Sequence, residues 1–312
     1  MRRVFAIAGG LLVVLVGLAA IWAYQFATAL ETERVTDDVH VIFGNGGNVG
    51  VLATADGAVV VDTQLLRIQG ERIRETAERL AGGPVQLVVN THYHQDHTHG
   101  NPGFPPGTRV VATRRTLDYL LAFDADYWTN GREETLPNEF VQARTTLPIG
   151  GKTVRALYLG AGHTGGDLVV QFVEDRVVHL GDLLFVGRYP RVDLAGGGSM
   201  RAWIVTLDAV LALDFDRVIP GHGPITDRDG VRAFQRFLRE VWGAAEAAAA
   251  EGLSLDEMLA RTELREDAGY GPGGLPPLVS FGRDDVLRWA WEEATGSVAP
   301  ALAPPAPEGE TQ

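Results

Sequence analysis

Residues 91–100 read Thr-His-Tyr-His-Gln-Asp-His-Thr-His-Gly, directly behind the run Gln-Leu-Val-Val-Asn at 86–90. Four histidines and one aspartate (His92, His94, Asp96, His97 and His99) fall within eight positions. That run, apolar at its centre, reads as a buried strand, so these polar groups crowd a loop at a strand's C-terminal end, where open α/β sheets hold their ligands. Burying so many of them is costly unless something binds them, and a metal is the simplest partner. The chain contains no Cys, which removes thiolate nucleophiles, Cys-ligated zinc and iron–sulfur clusters. Imidazole and carboxylate together suit zinc best and also accept iron, manganese or nickel.

Around this loop the pattern alternates between strands and helices. Residues 39–43, 49–53 and 58–62 read as a β-meander separated by Gly, Asn and Asp turns. A helix is expected over 68–80, stopped by Gly82-Gly83-Pro84, and another after Thr113. A second series places strands at 153–159, 168–173, 176–180 and 217–219, with helices at 202–213 and 231–251. Two strand-rich halves, each with helices, imply a layered α/β domain. Helices are expected at 255–261 and 284–293, joined by the Gly/Pro-rich link 269–277, and the Pro-rich end is expected to be disordered. The resulting division is 1–30, 31–250 for the catalytic domain, 251–298 for a helical C-terminal extension, and 299–312 for a disordered tail.

Residues 4–30 carry no Asp, Glu, Lys or Arg, and 4–22 are almost wholly apolar. About 20 such residues cross a bilayer. Arg2 and Arg3 precede the segment, whereas Glu31, Glu33, Asp37 and Asp38 follow it, which keeps the N-terminus in the cytoplasm and the remainder outside. Trp22 and Tyr24 suit an uncleaved interfacial anchor, and Ala27-Thr28-Ala29 suits a cleaved signal peptide. The expected location is therefore anchored on the outer side of the cytoplasmic membrane, or periplasmic or secreted after cleavage. The formal charge of −13 repels polyanions, so no nucleic-acid partner is expected.

The run His92-x-His94-x-Asp96-His97 resembles the signature of the metallo-β-lactamase superfamily. Gly162-His163-Thr164, Gly181-Asp182 and Pro220-Gly221-His222-Gly223 follow in the same order as that family's remaining motifs. The resemblance covers residues 35–230 and implies a four-layer αβ/βα sandwich, here with an N-terminal transmembrane or signal segment and a helical C-terminal extension. It assigns His92, His94 and His163 to one metal and Asp96, His97 and His222 to a second, with Asp182 bridging them. The bridging aspartate is similar to the hydrolase branch that includes glyoxalase II. Class B β-lactamases usually carry Cys or Ser there, which counts against antibiotic hydrolysis as the main activity. His94, where the related flavodiiron proteins carry an acidic ligand, likewise points to hydrolysis.

The resemblance implies two zinc ions, with iron or manganese as alternatives, and a metal-bridging hydroxide as nucleophile. Two divalent cations outweigh the two ligating carboxylates, so the site is expected to draw an anionic group or a polarised carbonyl. Asp96 is the expected catalytic residue, orienting the nucleophile and moving its proton. Asp62, Thr91 and His99 are expected to support the histidine loop from behind. Arg188, Tyr189 and Ser199, with Tyr127 and Trp128, are the expected substrate neighbours, and an arginine there suits a carboxylate. His40 and His179 read as structural residues.

The function expected on these grounds is an exported dinuclear zinc-dependent hydrolase acting on a small-molecule ester, thioester, lactone or related acyl bond. Two alternatives remain: a β-lactamase-like amidase, and a metal-binding relay partner of a periplasmic quinoprotein system. Turnover of a β-lactam lost on chelation marks the first, and binding of a protein partner without any acyl hydrolysis marks the second.

Overall fold

A computed structural model describes residues 15–19, 21, 24, 25, 28–275, 279–298 and 302. Strands β1 (Glu31–Arg34), β2 (Val39–Phe43), β3 (Val49–Thr54) and β4 (Gly57–Val61) are successive antiparallel neighbours, and the last three form the expected meander. The chain then adds strands in parallel, which requires a crossover for each. Helix α1 (Arg67–Ala81) leads to β5 (Val85–Val89), the short α2 (Gln95–Thr98) to β6 (Val110–Thr113), and α3 (Arg114–Phe123) to β7 (Glu139–Val141). The seven strands form one sheet in sequence order.

The second sheet comprises β8 (Arg144–Ile149), β9 (Lys152–Leu157), β10 (Val169–Phe172), β11 (Val177–Phe185) and β12 (Arg217–His222), in the order β12-β11-β10-β9-β8. Its first three connections are hairpins, and helix α4 (Met200–Leu211) makes the parallel crossover from β11 to β12. Helix α5 (Arg228–Glu251) follows.

Strands buried on both faces read as continuous apolar runs, which is why Val59-Val60-Val61 and Leu87-Val88-Val89 contain no polar residue. Val59, Val61, Leu87 and Val89 face Val154, Val170, Phe172 and Ile219 of the other sheet. The alternate residues Val60 and Val88 turn outward onto Ile73 and Ala77 of α1. On the far side of the second sheet, Leu180, Leu184 and Val218 pack with Trp203 and Leu207 of α4 and with Phe234, Phe237 and Leu238 of α5. The order of layers is helix, sheet, sheet, helix: an α/β sandwich with two mixed sheets.

The C-terminal segment contains α6 (Leu255–Arg261), a hairpin of β13 (Gly273–Leu275) with β14 (Val279–Phe281), and α7 (Arg283–Thr295). Val286, Leu287 and Ala290 of α7 are buried in the same core as α5. The carboxylate of Glu293 accepts from Ser199 Oγ (2.5 Å) and from the Met200 N–H (2.6 Å) at the start of α4. An acid at a helix N-terminus satisfies free donors and suits the helix dipole.

The structure departs from the sequence-based boundaries in two informative places. The strand expected to stop at Leu180 continues through Gly181-Asp182 to Phe185, and the one expected at 217–219 continues to His222. The pairing register shifts on either side of Gly181, whose φ is +50°. That glycine marks a β-bulge inside a strand, not its end. Strands β1, β7 and β8 escape the hydrophobic pattern because they carry exposed charged or polar residues, and Pro148 suits β8 as an edge strand. Among the described residues no helix is long and apolar enough to cross a membrane. Most of the apolar segment 4–22, Trp22, Ala27 and nearly all of the tail 299–312 lie outside the described residues.

Trp203 is fully buried between the second sheet and α5, and its indole N–H donates to the Leu183 carbonyl at 3.0 Å. Trp203→Ala is expected to destabilise the protein by about 3–5 kcal/mol. A denaturation midpoint measured in guanidinium, with unchanged slope, checks this.

Candidate metal centre

The site lies where strands of both sheets end or bulge. His92 and His94 follow β5, Asp96 and His97 lie in α2, Asp182 sits beside the bulge of β11, and His222 closes β12. His163 comes from the loop between β9 and β10. These seven residues form two groups, His92, His94, His163 and Asp182 in one and Asp96, His97 and His222 in the other. Within each group the ligand atoms lie within 4.8 Å of one another.

Asp182 stands between the groups. Its Oδ2 is 3.4 Å from His163 Nε2 and 3.9 Å from His92 Nε2. Its Oδ1 is 3.1 Å from His97 Nε2 and 3.4 Å from His222 Nε2. Asp96 Oδ2 adds to the second group, 3.3 Å from His222 Nε2 and 3.6 Å from His97 Nε2. A Cβ on Gly221 would lie 2.1 Å from Asp182 Oδ1, so a larger residue there would displace this carboxylate.

Hydrogen bonds on the outer side fix the direction of each ring. Asp62, fully buried, accepts from the Thr91 N–H and Thr91 Oγ and from His97 Nδ1, each at 2.8 Å. With its own proton given to Asp62, the Thr91 hydroxyl can accept from His92 Nδ1 at 3.1 Å. His163 Nδ1 donates to the Arg191 carbonyl at 2.7 Å, and His94 Nε2 donates to Asp193 Oδ2 at 2.9 Å. These donors set the tautomers, leaving the inward nitrogens as lone pairs.

This arrangement fits a metal. His92 Nε2, His97 Nε2 and Asp182 Oδ1 are buried without a hydrogen-bond partner, a costly state for polar atoms unless a cation takes up their lone pairs. His94 Nδ1 and His163 Nε2 lie 2.8 Å apart with both their other nitrogens already donating. A shared cation reconciles two acceptors held so close. The local field has the matching sign. Burial would lower the pKa of His222, but Asp182 and Asp96 outweigh it and raise the value to about 9. His97 is likewise raised, against burial, by Asp182, Asp96 and Asp62. In the other group burial lowers His163 to about 3 and holds His92 well below its usual range, so these rings stay neutral and able to ligate.

Asp62 and Thr91 are therefore placed behind the histidine loop. His99 stacks on Tyr127 at 3.5 Å and its Nε2 meets Asp124 at 2.5 Å, with Trp128 buried beside it. His179 bonds the Asn48 carbonyl and the Gly181 N–H. Arg188, Tyr189 and Ser199 are not brought into the cavity above the ligands, which measures about 460 Å³. Arg188 pairs through its backbone with Gly271, Tyr189 donates its hydroxyl to Asp267 at 2.6 Å, and Ser199 caps α4. Arg191 lines the cavity instead.

Asp193, like Arg191, is a residue that sequence reasoning missed. Besides His94 it receives the Tyr93 hydroxyl and the Gly196 N–H, and it is almost fully buried. Burial would raise its pKa, but His94 and Tyr93 hold it well below the usual carboxylate range. An aspartate flanked by Val192 and Leu194 was the available signal, because a charge between two core residues must find a partner.

A face-to-face pair of mixed sheets with a His/Asp cluster at one end of its strands has the architecture of a metallohydrolase. The sequence profile of the metallo-beta-lactamase superfamily matches residues 42–222. The chain belongs to this superfamily, whose members are metal-dependent hydrolases. It is 24% identical over 232 residues to the 2,4-dinitroanisole O-demethylase subunit alpha of Nocardioides sp. (strain JS1661), covering 74% of this chain and 67% of that protein. It is 26% identical over 181 residues to the metallo-beta-lactamase type 2 of Bacillus cereus, covering 57% of this chain and 67% of that one. Among solved structures, a metallo-beta-lactamase from Pontibacter korlensis superposes with a TM-score of 0.59 at 21% identity, over 68% of this chain and 99% of that chain. A sec-alkyl sulfatase superposes with a TM-score of 0.68 at 16% identity, over 84% of this chain and 50% of that chain. These two structural likenesses bear on the fold alone.

Asp193→Asn keeps the shape but weakens the acceptor for His94, and affinity for a divalent metal is expected to fall about 10- to 100-fold. Competition with a chromophoric chelator measures it. Asp182→Ala, which removes the carboxylate standing between the two ligand groups, is expected to lower the divalent metal bound per chain, and elemental analysis that finds an unchanged metal content overturns the shared role of this carboxylate.

Proposed function

We propose that the protein is an exported dinuclear zinc hydrolase that attacks an ester, thioester, lactone or related acyl bond. The observation that carries this reading is Asp182, whose two oxygens face different ligand groups. His92, His94 and His163 would hold one zinc, Asp96, His97 and His222 the other, with Asp182 shared. Iron or manganese would suit the same donor types. When bound, the metals supply Lewis acidity toward a carbonyl oxygen and bring the pKa of water down toward about 7.

The chain's own residues supply position and proton transfer. Asp96 and Asp182 both line the cavity, and the Asp96 side chain keeps 22% exposure against 5% for Asp182. Asp96 is thus the more accessible of the two ligand carboxylates, able to orient a water through a free oxygen and pass its proton to the leaving group. His97 and His222 outweigh the effect of burial and hold the Asp96 carboxyl well below its usual range. Arg191 gives the cavity a cation. Its guanidinium is 3.8 Å from an Asp193 already engaged by His94 and Tyr93, so it retains donors for a substrate carboxylate. Export rests on the uncharged stretch 4–30 with its flanking charges, which would hold the catalytic domain at or beyond the outer face of the cytoplasmic membrane.

The aspartate at position 182 favours acyl esters over the β-lactamase-like amidase reading. Relatives named as an O-demethylase and as a linear primary-alkylsulfatase of Pseudomonas sp. (strain ATCC 19151) make aryl ethers and sulfate esters the informative controls. A complete ligand set with an adjoining cavity favours an enzyme over a metal-binding relay partner.

The test is turnover of a panel of thioesters, lactones, aryl esters, β-lactams, an aryl ether and a sulfate ester by the zinc-loaded protein. One acyl class is expected to be cleaved, and Asp96→Asn to lower its kcat by about 100-fold or more with the fold intact by circular dichroism. Near-parental turnover by the variant overturns the role of Asp96. Cleavage of no acyl substrate by protein carrying two zinc ions overturns the acyl reading.

A further inference from the structure

We propose that the cavity selects acyl substrates with an apolar chain, which packs against a wall formed by Phe123 at the end of α3 and by Val279 and Phe281 of β14. This rests on the acyl-hydrolase reading and names the substrate class for the same site. Phe123, Val279 and Phe281 line the cavity that holds His94, Asp96 and His222. Its volume of about 460 Å³ lies in the range of small-molecule pockets. Phe123 is 43% exposed and Val279 59% exposed. Large apolar groups gathered at the mouth of a polar, charged centre leave water-facing surface whose covering is favourable, and a ligand held at that centre is placed to cover it.

Val279 and Phe281 lie beyond residue 222, outside the part of the chain that matches the superfamily. Their position is nevertheless fixed. The Gly271 N–H donates to the Gly187 carbonyl at 2.9 Å and the Tyr189 N–H to the Gly271 carbonyl at 3.1 Å, tying the approach to the hairpin to the segment after β11. Phe281 meets Trp289 of α7 edge-on at 5.4 Å. The wall is thus attached both to the strand that carries Asp182 and to a helix in the core. An acyl carbonyl at the ligand groups would leave its chain to run along these side chains, each methylene removing apolar surface from water.

The experiment has a binding arm and a turnover arm, both on the zinc-loaded full chain. Titration calorimetry with the n-alkyl carboxylates butanoate to decanoate is expected to show Kd falling about two- to fourfold per methylene. The kcat/KM for p-nitrophenyl esters of the same acids is expected to rise in parallel. Phe281→Ala and Val279→Asp should flatten both dependences, and Val279, being exposed, can take a charge without unfolding the hairpin. Circular dichroism and zinc content identify any variant that fails to fold. Chain-length-dependent carboxylate binding lost in both variants upholds the wall even if no ester is cleaved, in which case the hydrolytic reading alone falls. Esters cleaved, or carboxylates bound, with no dependence on chain length overturn the wall. So does a parental length dependence that survives in both folded variants.

Discussion

The buried carboxylate of Asp62 ties the site to the fold. It has a positive φ of 65°, a conformation that aspartate tolerates better than most side chains, just where β4 ends beside β5. From there it takes three donors from the histidine loop: the Thr91 amide, the Thr91 hydroxyl and His97 Nδ1. One group therefore sets the path of the loop, the tautomer of His97 and, through Thr91, the direction of His92. Chain geometry and ligand chemistry are fixed by the same contact, and neither can shift without the other.

The sandwich brings together ligands distant in sequence. His92 and His222 are on different sheets, and their approach depends on the apolar packing between the sheets. Hydrophobic burial supplies the force that closes the sandwich. The bulge at Gly181 adds direction, because it turns Asp182 toward both ligand groups while the strand continues beneath. A strand ending at Leu180 would leave the carboxylate on a free loop with no such constraint.

How much was legible follows from how local each signal is. The histidine run announces itself because its members are neighbours in sequence. The central strands announce themselves because burial on both faces leaves unbroken apolar runs such as Val59-Val60-Val61 and Leu87-Val88-Val89. The remaining ligands, His163, Asp182 and His222, are isolated residues, and only a resemblance in the order of motifs picks them out. Asp193 and Arg191 could not be read in this way. Asp193 meets His94 across 99 positions, and the route that brings it there depends on the turn after β11 and on the cap of α4. Arg188 was three positions away and equally plausible as a cation. Its backbone is paired with Gly271, a contact between distant loops that no local pattern encodes. Ser199 read as a substrate neighbour because it is polar and follows the motif, but a serine before a helix is equally an N-cap.

Glu293, near the end of α7, holds the first turn of α4 through Ser199 and Met200. The segment that α4 closes contains Arg191, whose carbonyl orients His163, and Asp193, whose carboxylate orients His94. Fraying of α7 would therefore be transmitted, through one carboxylate and one short segment, to the two rings of a single ligand group. Through these contacts α7 and the ligand group share one support, so loosening at the periphery would be felt as altered chemistry at the centre.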